Sequence, residues 1–468
     1  MQHGSRITRR RLLGQLGAAG VGAMALPHIL SSRALGAGAA SNKLNVALLS
    51  CGDRMRQDLP SILDGGSNIV AICDVDTRAI DQLKRMAAGR GAAGESVAKA
   101  KVYEDYRKLL DAEKSVEAVV IAAGQRWHTH LSKAAMLAGK HVFCEKPLAH
   151  SPAEARELRD LSLRLPKLAT QVGCQGGASN TFRRSMEVIQ GGMLGQVREV
   201  HAWINRSFPP SAPVDMNADP IPEGLNWDFW CGPCALLPFK RYYLGNCLAW
   251  GRWLEFGDGH LGDMGAHGLN LPWRALKLGA VEKASVEITE PLKDSYPSAT
   301  KFRWEFAARG DMPPVTVWWH DGGRAGPPQE LGKELIATYR NVPGDGNLFV
   351  GEKGMLRSDA WGTGGVVKLK GEDKFRGVLD HEAGKSIPTT LPRAPGQNHM
   401  QEWISASKGG PATFQPFSTA SMVAEIAAVG IVAMRFGKPI EWDSEALKVK
   451  GAPAADPLIH REQRKKWL

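Results

Sequence analysis

The stretch 137-LAGKHVFCEKPLAHSP-152 decides how this chain folds. Val142 and Phe143 end a short apolar run, the polar triplet Glu145-Lys146-Pro147 breaks it, and Ser151-Pro152 ahead of AEARELRDL has the form of a helix cap and first turn. A lysine therefore stands at a strand end. In open α/β sheets ligands bind beyond the carboxyl ends of the strands, where a cation meets a substrate oxygen or a cofactor ring. Pro147 fixes its own φ and holds Lys146 in extended geometry. On local grounds Lys146 is either such a cation or half of a solvated surface pair with Glu145.

The upstream chain favours the first reading. Leu44 to Leu49 forms an apolar strand, a helix runs to about Leu63, and Ile69 to Cys73 forms a second strand ending near Asp74. Helical stretches over Thr77–Ala88 and Tyr103–Leu110 lead to a strand at Ala118–Ala122, the helix LSKAAMLAG and the strand that delivers Lys146; Leu168–Val172 is the last strand of this set. Strand and helix alternate with short links, which predicts a parallel sheet covered on both faces. The first turn reads Ser50-Cys51-Gly52-Asp53-Arg54-Met55, and of a G-x-G-x-x-G fingerprint it keeps only Gly52, the position where the backbone approaches a pyrophosphate. Asp74, 24 residues beyond Ser50, has the spacing of an acid that accepts from ribose hydroxyls, which favours NAD over NADP. It equally suits a cap for the next helix.

Downstream, Ser151–Asp160 and Thr181–Gln190 are helical, and Val197–Trp203 alternates like a strand on the edge of a second domain. The proline-rich aromatic run from Asn205 to Phe239 has the composition of a loop that packs over a site or a partner. Within it, Cys231-Gly232-Pro233-Cys234 has redox or half-metal-site spacing, with no second CxxC to complete a zinc site. In WGRWLEFGDGHLGDMGAH, residues 250–267, a helix beginning near Leu261 puts Asp263 and His267 on one face. Such a pair suits proton transfer, the acid orienting the imidazole; His260 is a possible third ligand for a metal, and a core histidine bonded to Asp263 is the plainer alternative. Beyond Gly279 short period-two runs predict an open sheet with one face on helices, followed by helices over Gln397–Ser407 and Thr419–Met434.

At 468 residues the chain is long enough for two domains, and 43% hydrophobic with 23% charged residues is a globular composition. Residues 1–40 differ. Ser5-Arg6-Ile7-Thr8-Arg9-Arg10-Arg11-Leu12-Leu13 precedes a Gly/Ala/Leu-rich segment and then small residues, the three parts of an export signal, and the paired arginines resemble a twin-arginine leader. Glycines and Pro27 interrupt the apolar part, so it is poorly suited as a stable membrane span. Cleavage near Ala39 or Ala40 removes five arginines (Arg6, Arg9, Arg10, Arg11, Arg33) and no acid, lowering the net charge from +11 to +6. That remainder lacks any dense basic stripe and gives no argument for nucleic acid. Seven cysteines are too few to staple a chain of this size.

Six motifs together make the chain similar to a known family: EKP at 145–147, GQRWHTH at 124–130, QVGCQGG at 171–177, NWDFWCGP at 226–233, GDMGAH at 262–267 and EWDSEALKV at 441–449. It resembles the Gfo/Idh/MocA sugar and polyol oxidoreductases, in their exported branch with tryptophan-rich loops. The resemblance implies an export signal over 1–40, a Rossmann domain carrying NAD over 43–175, a C-terminal α/β domain with an open, mainly antiparallel sheet over 176–440 for substrate and oligomerisation, and a tail over 441–468 that packs back on the body. It implies cofactor contacts from Ser50, Gly52, Asp53, Arg54, Asp74, Trp127, His128, Glu145 and Lys146. Lys146, Asp263 and His267 become the expected catalytic set, with Arg184, Trp227 and Trp253 as substrate contacts and no metal. The expected partners are a small carbohydrate, the twin-arginine export machinery and further copies in a homodimer or homotetramer, with a periplasmic or otherwise exported location. The expected reaction is hydride transfer between a sugar carbinol and tightly held NAD. The alternatives are an NAD-assisted, redox-neutral glycosidase or lyase, and a catalytically silent sugar-binding or structural protein.

Overall fold

The computed structural model describes residues 43–323 and 325–467, within one compact unit, Leu44–Leu468. The expected leader over 1–40 and its cleavage point lie outside the described residues.

Six strands, β1 (Asn45–Leu49), β2 (Asn68–Cys73), β3 (Lys101–Tyr103), β4 (Ala118–Ile121), β5 (His141–Cys144) and β6 (Thr170–Val172), form a parallel sheet in the order β3-β2-β1-β4-β5-β6. This is the doubly wound order, with its switch point between β1 and β4. All four residues of β4 are buried, as both faces of a helix-covered parallel sheet require. The helix after β5, Pro152–Arg164, starts as its sequence predicts: Ser151 Oγ accepts from the Glu154 N–H at 3.2 Å and Pro152 occupies the first turn. The helix expected over Tyr103–Leu110 is corrected. Lys101–Tyr103 is the edge strand β3, and Asp105, accepting from the Arg107 N–H at 2.9 Å, starts a helix at Tyr106 instead.

Ten further strands make a second sheet: β7 (Val197–Ile204), β8 (Lys283–Ile288), β9 (Thr300–Phe306), β10 (Val315–Asp321), β11 (Asp345–Gly351), β12 (Gly354–Ser358), β13 (Val366–Leu369), β14 (Arg376–Gly377), β15 (Ile440–Asp443) and β16 (Lys448–Val449). Their order is β14-β13-β12-β11-β7-β10-β9-β8-β15-β16, antiparallel throughout except for β7 and β10. The fold class is thus the expected one, a Rossmann-type sheet beside a mainly antiparallel sheet. The strand expected over Val197–Trp203 is β7, which lies fifth of ten and is buried from Val200 to Ile204. The sheet is less open than expected. A helix at Gln329–Tyr339, not anticipated from sequence, packs Leu335 against Trp203, Leu348 and Phe375 on the face opposite the main core. The boundary expected at 441 falls inside β15.

The helix Phe417–Phe436 is long and apolar enough by composition to cross a membrane, yet most of it is buried inside the protein. It packs on the Pro152–Arg164 helix and on β8 and β9, and Gly430 permits the contact: a β-carbon there would lie 2.8 Å from the Trp304 ring. The aromatic loop does not merely cover its neighbours. Trp227, Phe239, Tyr243, Trp253 and Phe256 close around Cys231 and Cys234 into a small core of their own.

Candidate active site

The carboxyl ends of β1, β4 and β5 open into one cleft of about 770 Å³, whose far wall comes from the helix Gly259–Gly268 and the β7 end. On the β1 side Ser50 adopts a left-handed backbone, φ 77°, the conformation a fingerprint glycine would take without cost. A β-carbon at Gly52 would meet nothing nearer than Ser50 Oγ at 3.8 Å, so the backbone there is open to the cleft. The helix Asp53–Asp64 begins immediately after it with no side-chain cap, leaving a bare N-terminus of the kind that binds phosphate. Met55, at the third fingerprint position, is fully buried among β1 and β2 side chains and not against the cleft.

Asp74 lines the same cleft. Its Oδ2 accepts from the Cys51 N–H at 2.5 Å and its Oδ1 from the Asp76 N–H at 2.9 Å; burial pushes its pKa up to about 6 against these bonds. Each carboxylate oxygen keeps a second acceptor site for a hydroxyl. Open backbone, uncapped helix start and ribose-type acid together fit a dinucleotide.

Asp53 and Arg54 reach the cleft wall but spend their charges within the protein. Asp53 pairs with Arg56, and Arg54 lies 3.0 Å from Glu145 and 2.7 Å from Asp58. Glu145 is therefore a buried counterion for Arg54. The glycine of QVG makes room for it, since a β-carbon on Gly173 would lie 2.2 Å from the Glu145 carboxylate. Trp127 lines the cleft, with its indole N–H donating to the Phe229 carbonyl at 3.1 Å. His128 does not line it: its ring nitrogens lie 2.6 and 2.9 Å from the carbonyls of Pro147 and Ala123, beneath the Lys146–Pro147 loop, and burial holds its pKa down at about 4.

Opposite the β1 turn stands the Lys146–Asp263–His267 group. The Lys146 ammonium donates to Asp263 Oδ1 at 2.6 Å and to the Asp263 carbonyl at 2.9 Å. Burial alone would lower the lysine pKa and raise the aspartate's; the mutual attraction outweighs it, raising Lys146 and bringing Asp263 down to about 2. Asp263 Oδ2 accepts from Arg206 at 3.2 Å, and the Cys247 thiol donates to Oδ1 at 3.1 Å. The expected Asp263–His267 pair is corrected: the two share a helix face and one cleft, but Asp263 is bonded to the three other groups. Among the described residues the His267 ring has no hydrogen-bond partner; it lies against Trp361, ring centres 5.9 Å apart, and faces the cleft. Burial first, and then the Lys146 charge, hold its pKa well below that of a free histidine. The result is a charged donor beside a neutral acceptor.

The three candidate substrate contacts lie elsewhere. Arg184 donates to the carbonyls of Gly384 and Ile387 and pairs with Glu187, so its guanidinium is consumed far from the cleft. Trp227 is buried in the aromatic core and Trp253 borders a neighbouring hollow. Cys231 and Cys234 are free thiols, and among the described residues no cluster of metal-ligating side chains occurs. Sequence reading missed Arg206, Cys247 and Trp361. Arg206 had a signal, because it follows β7 as Lys146 follows β5, at a strand end; Cys247 opens a helix of only five residues, too short for a periodic pattern, and Trp361 sits in a turn.

Residues 35–173 match the family model described as the GFO_IDH_MocA oxidoreductase family, NAD-binding Rossmann fold. The inositol 2-dehydrogenase of Salmonella typhimurium is 32% identical over 138 residues, 29% of this chain and 38% of the relative. Inositol 2-dehydrogenase 2 of Saccharopolyspora erythraea is 27% identical over 175 residues, 36% of this chain and 48% of the relative. The chain thus matches less than half the length of these curated relatives. Among solved structures, levoglucosan dehydrogenase in complex with NADH and levoglucosan superposes with a TM-score of 0.57 at 15% identity, covering 85% of this chain and 99% of the other. Aldose-aldose oxidoreductase from Caulobacter crescentus complexed with glycerol gives 0.56 at 15%, covering 86% of this chain and all of the other. These structural likenesses are of fold.

Proposed function

We propose that this protein is a member of the Gfo/Idh/MocA family and an NAD-dependent oxidoreductase acting on a sugar or polyol carbinol. The observation that carries the reading is the Lys146–Asp263 pair beside an unpartnered, neutral His267, all in the cleft that the β1 turn and Asp74 open onto. The relatives named as inositol and levoglucosan dehydrogenases support the substrate class. Bound NAD supplies the hydride acceptor.

The chain's own residues handle the proton and the charge. His267 accepts the hydroxyl proton, which its low pKa favours releasing again to water. Lys146, held charged and oriented by Asp263, donates to the same oxygen as negative charge develops there. Asp263 is thus a positioning group for the lysine, and Arg206 and Cys247 fix its carboxylate in turn. Trp361 screens the imidazole from bulk water on one side.

The export expected from residues 5–13 belongs to the same reading. An enzyme outside the cytoplasm has no free nucleotide pool, so NAD enters during folding and is recycled in place by a second sugar-like acceptor. The reading is tested by releasing nucleotide from purified full-length protein, identifying it by mass and ultraviolet spectrum, and following reduced nicotinamide with a panel of sugars and polyols. No bound nucleotide and no affinity for added NAD would sink it. Fractionation of cells expressing the full chain and its Arg10→Lys/Arg11→Lys variant tests export; the variant should stay in the cytoplasm.

A further inference from the structure

Arg206 stands where the reaction cleft meets a second, open hollow of about 820 Å³, and it lines both spaces. It lies just beyond the end of β7, and its backbone is tied down on both sides. Its N–H donates to the Ile204 carbonyl at 2.9 Å, and its carbonyl accepts from the Gly322 N–H at 2.7 Å. The side chain is not covered: it is 40% exposed, while the Asp263 carboxylate it bonds is 7% exposed.

The guanidinium commits only one of its corners to the protein. Nη1 donates to Asp263 Oδ2 at 3.2 Å, and among the described residues Nε and Nη2 donate to nothing. Unlike the buried Nε of Arg252, neither of these two atoms is sealed from solvent. Nε and Nη2 form the edge through which a guanidinium grips a carboxylate with two parallel bonds. Arg107 shows the arrangement in this protein, with Nε 2.9 Å from Asp105 Oδ1 and Nη2 2.7 Å from Oδ2, and Arg78 holds Asp76 in the same way. On Arg206 that edge carries no protein carboxylate.

The charge balance points in the same direction. Asp263 is already matched by Lys146, which donates to its Oδ1 at 2.6 Å, and among the described residues Asp263 is the only carboxylate paired with Arg206. Two cations on one carboxylate leave one positive charge unmatched. The hollow supplies no acid to offset it, since the charged residues that line it are Arg206 and Arg252. A surface arginine needs no partner but water; this one is held by its backbone and by Asp263 on the wall of the reaction cleft.

We propose that the substrate is a sugar acid whose carboxylate is bound by the Nε–Nη2 edge of Arg206 while its reacting carbinol lies between Lys146 and His267. The inference rests on the sugar-oxidoreductase reading and narrows its substrate from sugars and polyols in general to those that bear a carboxylate. Arg206 then serves both ends of the substrate, binding the carboxylate through one edge and, through Nη1, holding the Asp263 that orients Lys146.

The test is calorimetric titration of the full-length protein, as purified, with three matched pairs: glucuronate and glucose, galacturonate and galactose, gluconate and sorbitol. In at least one pair the acid should bind about tenfold more tightly or better, the usual worth of a charge-assisted fork, and the advantage should shrink as sodium chloride is raised. Arg206→Gln should bring the acid-to-neutral ratio to about one, and Arg206→Lys, which keeps the charge without the planar fork, should retain only part of it. No binding of any acid, equal affinity within all three pairs, or an acid preference that survives Arg206→Gln overturns the inference. Where Arg206→Gln lowers the thermal midpoint, Arg206→Lys decides, and an undiminished ratio there overturns it. An acid preference that depends on Arg206 without any reduction of NAD leaves the carboxylate site standing and removes the redox reading; NAD reduction by neutral and acidic members alike, with no difference in affinity, does the reverse.

Discussion

Lys146 Nζ donates to Asp263 Oδ1 at 2.6 Å across 117 positions of sequence. The lysine arrives from the end of a parallel strand and the aspartate from a helix lying on the other sheet, and neither has a comparable partner locally. The pair is 15% and 7% exposed, so its attraction is little screened and its loss leaves a buried charge.

Lys146→Met should lower kcat by a factor of about 10²–10³, the usual worth of a charged donor to a developing oxyanion. Bound nucleotide, measured by release and absorbance, should stay near wild-type, because the β1 turn and Asp74 are untouched. Loss of nucleotide together with activity would make Lys146 a cofactor anchor.

His267→Gln should cost about 10²–10⁴ in kcat. The folded pKa of His267 lies below the free value of about 6.5. The imidazole is therefore already neutral at pH 6.5, and the acidic limb of kcat/KM should fall below that pH. An acidic limb above pH 7 would remove His267 as the base.

Asp263 has a folded pKa of about 2 against an ordinary 3.8. With a depressed carboxylate the stabilisation is present above the unfolded pKa and lost as pH falls through the folded one. Acid titration of wild-type should therefore show a loss of about 2 kcal/mol between pH 4 and 2 that Asp263→Asn lacks. Urea unfolding at several pH values reads the difference.

Ser50→Gly should stabilise the protein by about 1 kcal/mol or less, since a φ of 77° strains serine and not glycine. NAD affinity should be unchanged. A large gain in affinity would show that the serine side chain, and not backbone shape, limits binding.

Much of this was legible in the sequence because local signals were strong. The alternation of short buried strands with capped helices gave the parallel sheet, and Asp74 and Lys146 were found as strand-end residues. What was not legible depended on distant partners. The i, i+4 spacing put Asp263 and His267 on one face, but nothing local says that Lys146, Arg206 and Cys247 claim the carboxylate. Arg184 looked free for a substrate because the carbonyls that bind it come from Gly384 and Ile387. The centrality of β7 was likewise hidden, since its neighbours β10 and β11 lie more than a hundred residues downstream.

The stretch from Arg461 to Trp467 completes the cofactor-side wall. Arg461 pairs with Glu154 at 3.2 Å and donates to the Cys234 thiol, Arg464 binds Asp228 and the Gly232 carbonyl, and the Trp467 ring meets Trp127 edge-on at 4.9 Å. Gly232 is the residue on which the Trp127 indole rests, a β-carbon there falling 2.3 Å from the ring. The indole that lines the cleft is thus braced by residues made more than three hundred positions later. The parallel sheet is itself completed from late in the chain, its core taking in Met400, Trp403 and Ile404 on one face and Phe417 and Trp467 on the other. Any nucleotide that depends on a rigid Trp127 wall therefore depends on the C-terminal stretch as well as on the β1 turn.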